Sequence, residues 1–534
     1  MRAHSKTVGT LFILLGMGAL GCEDDARPDV SSGGPDVGGE SSGGESSGGA
    51  NAGGEPGGDA GSGGEGSDVP LEEIGCDVII IGGGVSGLHT AFRLAPELGD
   101  GVCLFEKEAE LGGRIKDVPM DDEPNSPRFG VGARRVMPQQ QVLLDLAAEL
   151  GLELQTPEQG RDLVNARGIH ALSKEGLLPA YPSITPDASG DTETAFYEEL
   201  LFGDSRALAS DYGDFRTFIR EALGVEAYQF LRDASRFRAD FEAPLDAEGY
   251  MDYLTEEWDV YGDASYPVGG MSAFVRGMAD AALADDARVF TSEPVLRIER
   301  AGAGYEVVTG QHRASAPKVV VAVPPAALKW IEGDVAEDLK AEPELQDILG
   351  VKVVTVTQWW PTNWWSQIVD PSDDVPVWRA WTTEHCVNFV EIPLEPYASE
   401  QLVTRSVYDD DANCVELWQR LWEQGGEQAV AEEVQRGLEH LFVQNGVTEP
   451  ADLVIPQPSR TYVQVWPAAW HWLAAGTEFS NTDVYDWAVE PLDGEDVALV
   501  GEAYNVNRSG WSDGAYKSSI HLLNTKYGLD LPGL

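Results

Sequence analysis

The chain has 534 residues, 43% of them hydrophobic, enough for two or more domains around a large core. It carries 36 basic against 90 acidic side chains, a formal net charge of -54. A surface of that sign repels nucleic acid and anionic lipid, which excludes both as partners, and reads as a solubility device.

Arg2 and Lys6 precede an apolar run, Val8 to Leu20, too short for a comfortable membrane span and suited to a signal peptide. The run ends in Ala19-Leu20-Gly21-Cys22 before acidic residues, which resembles a bacterial lipoprotein box with Cys22 as the lipidated residue. The expectation is an exported protein, anchored by lipid on the periplasmic or cell-surface side or secreted, touching membrane only through that anchor. Residues 23–70 are Gly, Ser, Glu and Asp without an aromatic side chain. They cannot bury a core and predict a disordered tether with a reach of roughly 40 Å.

The folded part begins near Leu71. Asp77 to Ile81 predicts a buried strand, and Leu88 to Leu94 predicts a helix. Between them lies Gly82-x-Gly84-x-x-Gly87. Gly82 permits a tight turn, Gly84 a close approach to a pyrophosphate, and Gly87 close packing of helix on strand, with Ser86 in the same turn. A second strand, Val102 to Phe105, ends in Glu106-Lys107, where an acid can bond a ribose hydroxyl. Gly112-Gly113-Arg114 and Gly132-Ala133-Arg134-Arg135 follow, each pairing small residues with guanidiniums that fork to phosphate or another anion.

Cys76 and Cys103 lie in or beside the first two strands and read as buried thiols. Pairing of Cys386 with Cys414 stays open, and no His/Cys cluster has metal spacing. Trp359, Trp360, Trp364, Trp365, Trp378 and Trp381 fit either a pocket lining or a crowded core. His385 and His471 fit substrate contacts or structural histidines.

The glycine motif, Glu106, LGGRI and GARRV, with Gly501-Glu502 and Gly510-Trp511-Ser512-Asp513-Gly514-Ala515 near the end, resemble the flavin-containing amine oxidases, the family of monoamine oxidase and L-amino acid oxidase. The resemblance spans about residue 75 to the C-terminus. It implies an α/β fold: a discontinuous, Rossmann-like FAD-binding domain (71–139, 266–325, 487–534) and a substrate domain of mixed sheet and helices (140–265, 326–486). It implies FAD, held noncovalently because no cysteine follows Cys414. Val295 falls where the family contacts adenine, Lys352 where a lysine assists oxygen at the flavin, and Trp466 or Trp470 where an aromatic wall faces it. Trp511 opens the last helix beside the substrate.

The resemblance also bears on substrate. L-amino acid oxidases carry Gly-x-x-Arg where this chain has Gly132 to Arg135, with the arginine on the substrate carboxylate. The reaction implied is oxidative deamination of an L-amino acid, with a lean toward a large apolar side chain, to a 2-oxo acid, ammonia and hydrogen peroxide, with oxygen as acceptor. A monoamine or polyamine oxidase, a flavin desaturase, which would not need Arg135, and a noncatalytic surface-binding lipoprotein on the same fold remain alternatives, as does a homodimer.

Overall fold

The computed structural model describes residues 71–123, 126, 128–157, 160–258, 263–392, 402–505 and 511–533. The apolar N-terminal run, Cys22, the 23–70 stretch and Gly510 lie outside the described residues.

Val78–Ile81 is four buried β-branched residues, a composition suited to a strand covered on both faces. It is the centre of a five-stranded sheet in which every pairing is parallel. The spatial order is Arg288–Phe290, Val102–Phe105, Val78–Ile81, Val319–Val321, Val497–Leu499. Helices Val85–Leu98, Ser272–Ala284 and Ser512–Tyr527 share a core on one face. The other face meets a four-stranded sheet of Glu72–Gly75, His312–Ala316, Gly304–Val308 and Arg297–Ala301.

Two helices cross the sequence-drawn domain boundaries. The Gln141–Glu149 helix points its apolar stripe, Val142, Leu143, Leu146 and Ala147, into the core under the parallel sheet. The Asp334–Ala341 helix does the same on the opposite face with Val335, Ala336 and Leu339. In each the apolar stripe is the face that enters the core.

The second large sheet has seven strands in the order Arg460–Leu473, Ile348–Trp359, Val403–Asp409, Phe389–Glu391, Val377–Thr382, Arg161–Ala166, Ile169–Ala171. Only the Val377–Thr382 and Arg161–Ala166 pair is parallel. Helices between Thr192 and Trp258 cover one face, with Tyr197, Phe215, Phe230 and Tyr250 in the shared core. The long Ala412–Phe442 helix covers the other, and there Trp360, Trp364 and Trp365 pack as core rather than as a pocket wall.

Cys76 and Cys103 are joined in a disulfide, not free thiols, because the turn into Val78–Ile81 brings Cys76 beside the neighbouring strand. Cys386 and Cys414 form a second disulfide. None of the helices among the described residues is long and apolar enough to cross a membrane.

Candidate active site

The glycine turn after Val78–Ile81 has two kinds of glycine. Gly82 holds φ +106, a conformation a side chain resists, and a Cβ on Gly87 would sit 2.1 Å from the Gly82 carbonyl oxygen. Gly84 holds an ordinary φ of -66, and a Cβ there would find its nearest neighbour, the Gly113 Cα, 4.0 Å away. The space over Gly84 is therefore open. The Val85–Leu98 helix starts at this point without a side-chain cap, and the Ser512–Tyr527 helix starts at Trp511, also without one. Both leave N-terminal N–H groups available to an anion.

Glu106 stands at the end of the adjoining strand. Its Oε2 accepts from the Gly83 amide at 2.6 Å and its Oε1 from the Glu108 amide at 2.8 Å, which fixes the carboxylate. Ser86 donates to the Val500 carbonyl at 3.4 Å, and Asp513 accepts from Gln140 at 3.2 Å. Gly514 and Ala515 are buried in the same first turn. An open glycine backbone, two uncapped helix starts and a fixed acid are the donor set that suits a dinucleotide's diphosphate and ribose. Val295 is half-buried in the loop that follows Glu293, whose carboxylate is held by Thr309 at 2.6 Å and His312 at 2.5 Å.

Glu502 ties three distant segments together. Its Oε2 accepts from Arg114 Nη1 at 2.6 Å and lies 2.9 Å from His471 Nδ1, while its Oε1 accepts from the His471 amide at 3.0 Å. Burial favours its neutral form, but the Arg114 and His471 charges win and hold it well below the usual carboxylate range. His471 is therefore a structural partner of this acid. Arg114 also donates to the Ala469 carbonyl at 2.8 Å, so this amino group serves the protein rather than a phosphate. Its guanidinium keeps part of its surface exposed.

Beside this, the face of the seven-stranded sheet that meets the Thr192–Trp258 helices is the floor of the candidate substrate chamber. Register places Arg405, Glu391, Arg379 and Asp162 in one row across four strands, and Tyr408, Phe389, Trp381 and Val164 in the next. Residues two apart on a strand share a face, so both rows project to the same side; the register shift near Phe389 keeps Arg405 and Tyr408 together. Trp470 lies nearly parallel to Tyr408, centroids 6.2 Å apart, and Phe237 sets its edge against both at 5.8 and 5.4 Å.

The two arginines after Gly132 reach this row. Arg134 Nη1 donates to Glu391 at 2.8 Å, and its guanidinium covers the Phe129 ring. Arg135 Nη1 is 3.5 Å from the other Glu391 oxygen, and its guanidinium lies 5.9 Å from the Trp511 ring. Arg405 adds a third charge 3.6 Å away. Burial raises the Glu391 carboxyl, yet Arg134, Arg405 and Arg135 outweigh it and hold it at about 2. A Cβ on Gly132 would lie 1.8 Å from the Arg114 carbonyl oxygen and 3.3 Å from Trp466, so this turn packs tightly, carrying Ala133 with it. Trp466 donates to the Val131 carbonyl at 3.4 Å.

The geometry corrects three of the expected roles. Lys352 is exposed and donates to Gln419 at 2.6 Å, away from the chamber. Ordinary strand alternation turns Val351 and Val353 into the helical-side core and Lys352 to the opposite side, toward the Ala412–Phe442 helix that carries Gln419. Arg134 bonds Glu391 rather than facing the glycine groove. Lys107 pairs on the surface with Glu108 at 2.7 Å. Sequence reasoning missed Glu391, Tyr408, Phe237 and Arg236. Arginines inside otherwise apolar strands, VWRAWT and VTRSVYD, were the available signal.

A family model described as Flavin containing amine oxidoreductase matches residues 85–521. A protein of Mycobacterium tuberculosis named "Putative flavin-containing monoamine oxidase AofH" is 29% identical over 292 residues, 48% of this chain and 59% of the relative. The chain thus spans about three-fifths of that relative's length. Amine oxidase [flavin-containing] A of Sus scrofa is 42% identical over 77 residues, 14% of each chain. Among solved structures, cyclohexylamine oxidase from Brevibacterium oxydans shares the fold with a TM-score of 0.60 at 19% identity, covering 84% of this chain and 98% of that one. Putrescine oxidase bound to putrescine does so with 0.56 at 18%, covering 86% and 100%. With the fixed acid and the closing helix start inside the matched span and the glycine groove directly before it, the chain belongs to the flavin-containing amine oxidoreductases, and its cofactor is FAD.

Proposed function

We propose that the protein oxidises an L-amino acid to the 2-oxo acid, ammonia and hydrogen peroxide. The observation that carries this reading is Arg135, set between Glu391 and Trp511 at the edge of the chamber. A guanidinium there forks to the substrate carboxylate and fixes which Cα–H faces the cofactor. Phe237, Tyr408, Trp470 and Trp511 form walls that exclude water and hold the neutral amine close. Gly84, the two uncapped helix starts and Glu106, in a Rossmann-like half-domain, would hold FAD, which would supply the two-electron oxidation with oxygen as acceptor. Glu502 keeps Arg114 and His471 fixed around that seat.

The second reading is oxidation of an amine without a carboxylate, favoured by the names of the relatives and structural neighbours. Peroxide release by the FAD-loaded protein separates the two, with L-amino acids set beside their decarboxylated amines. Activity on amino acids that falls at least about 100-fold in Arg135→Ala supports the carboxylate fork. Activity on amines alone, indifferent to that substitution, overturns it.

Export by the N-terminal signal with lipid attachment at Cys22 belongs to the same proposal. Two disulfides support it, since oxidising compartments are where such bonds persist.

A further inference from the structure

Arg236 lies in the loop between helices Val225–Asp233 and Ala239–Glu242 and is 3% exposed. Its Nε and Nη1 are buried and meet no hydrogen-bond partner. The guanidinium lies 5.3 Å from the Phe389 ring, 5.8 Å from Trp381 and 6.0 Å from Phe237, so it sits over the aromatic row of the chamber floor. A buried guanidinium without a counter-charge is costly, and a native structure keeps one where a ligand supplies the missing partner.

The surroundings do not supply it. Among the described residues, Arg134, Arg135, Arg236, Arg379 and Arg405 lie among three carboxylates, Glu391, Asp162 and Glu193, the last taken on both oxygens by Lys174 at 2.7 and 2.6 Å. Asp162 is engaged on both oxygens by Arg379, at 2.7 and 3.0 Å, and Glu391 by Arg134, Arg135 and Arg405. Burial, then Arg379, lowers the Arg236 group to about 9, still protonated at neutral pH. Nearby acids do not offset this excess: burial pushes Asp240 up to about 7 and Asp410 up to about 8, largely removing the negative charge of Asp410. Of the tryptophan cluster, Trp360, Trp364 and Trp365 lie on the far face of the sheet.

We infer that Arg236 receives a second carboxylate, and that the substrate is an L-amino acid with an acidic side chain. This rests on the amino acid reading above: Arg135 takes the α-carboxylate and Arg236 the distal one. Arg236 acts as a specificity residue and takes no part in the redox step.

The test compares kcat/KM for L-glutamate, L-aspartate, L-leucine and L-lysine in the FAD-loaded protein, its Arg236→Met and Arg236→Lys variants, and Arg135→Ala. Expected is a preference of the unsubstituted protein for an acidic substrate. Arg236→Met should lower the ratio of glutamate to leucine by about 100-fold, with Arg236→Lys between. Glutarate, which has no amine to oxidise, should raise the melting temperature of the unsubstituted protein and not of Arg236→Met. Without glutarate, Arg236→Met should melt higher than the unsubstituted protein, the reverse of what loss of a structural residue gives. Leucine oxidised as well as glutamate, with Arg135 dependence, overturns this inference and leaves the amino acid reading standing. Preference for lysine overturns it in favour of Asp410. Loss of all amino acid activity would sink the amino acid reading, and the glutarate shift would still decide whether Arg236 binds a carboxylate. If Arg236→Met fails to fold, the substrate profile of the unsubstituted protein and the Arg236→Lys variant decide it.

Discussion

Gly84 and Gly87 stand three residues apart in one turn, yet alanine should act on them through different terms. At Gly84 the backbone is already in a region alanine adopts freely, and the new Cβ meets nothing closer than 4.0 Å. The apoprotein should therefore fold normally, with a gain of up to about 1 kcal/mol from the stiffer unfolded chain. The methyl group fills the space a diphosphate must enter, however. Losing one or two charge-assisted N–H contacts costs about 3 kcal/mol, roughly 100-fold in the FAD dissociation constant. At Gly87 the Cβ would lie 2.1 Å from the Gly82 carbonyl oxygen and 2.8 Å from the Ala322 methyl, each directly after a sheet strand. Helix and strand must separate, at a cost of about 3 kcal/mol or more to the apoprotein itself. Thermal melts of both apoproteins, followed by fluorescence titration with FAD, read the two quantities separately. A Gly84→Ala protein that binds FAD as tightly as the parent would refute the assignment of that opening to the cofactor.

Two further predictions concern charged residues. Glu391→Gln leaves three arginines around a neutral group and should destabilise the protein by about 3–5 kcal/mol in urea. Because the Glu391 carboxyl is depressed to about 2 when folded, its contribution is complete above its unfolded value and is lost as pH falls toward 2. The gap between parent and variant should close over that interval in acid titrations, and a gap independent of pH would contradict the assignment. Lys352→Met removes an exposed amine whose hydrogen-bond partner among the described residues is Gln419, and should change stability by less than about 0.5 kcal/mol. Peroxide release should stay within about twofold; a tenfold fall in the rate of flavin reoxidation would restore the lysine to the oxygen step.

The glycine groove was legible because its physics is local. Strand, turn and helix occupy one continuous stretch, and Glu106 follows at the spacing a neighbouring parallel strand imposes. The closing helix start at Trp511 was readable for the same reason. Lys352 was misread because its role came from the resemblance; alternation sets it opposite Val351 and Val353, and which face those valines take is decided only by tertiary packing. Glu391 and Arg236 were invisible for another reason: each gains its meaning from side chains on other strands and loops, Arg134 and Arg135 for Glu391 and Arg379 and Phe389 for Arg236. The helix at Gln141–Glu149 showed its apolar stripe in sequence, but nothing in that stripe says which of two sheets will cover it.

The order of the parallel sheet also governs how the chain can be made. Val319–Val321 pairs on one side with Val78–Ile81 and on the other with Val497–Leu499. A nascent chain lacking its last forty or so residues holds that three-valine strand with one edge bare, and Arg114 still without Glu502. Such an edge recruits other strands, which makes the incomplete chain adhesive until the C-terminus arrives. The cofactor seat is thus finished last, so FAD enters a completed polypeptide, and C-terminal truncation should yield aggregate rather than a soluble apoenzyme.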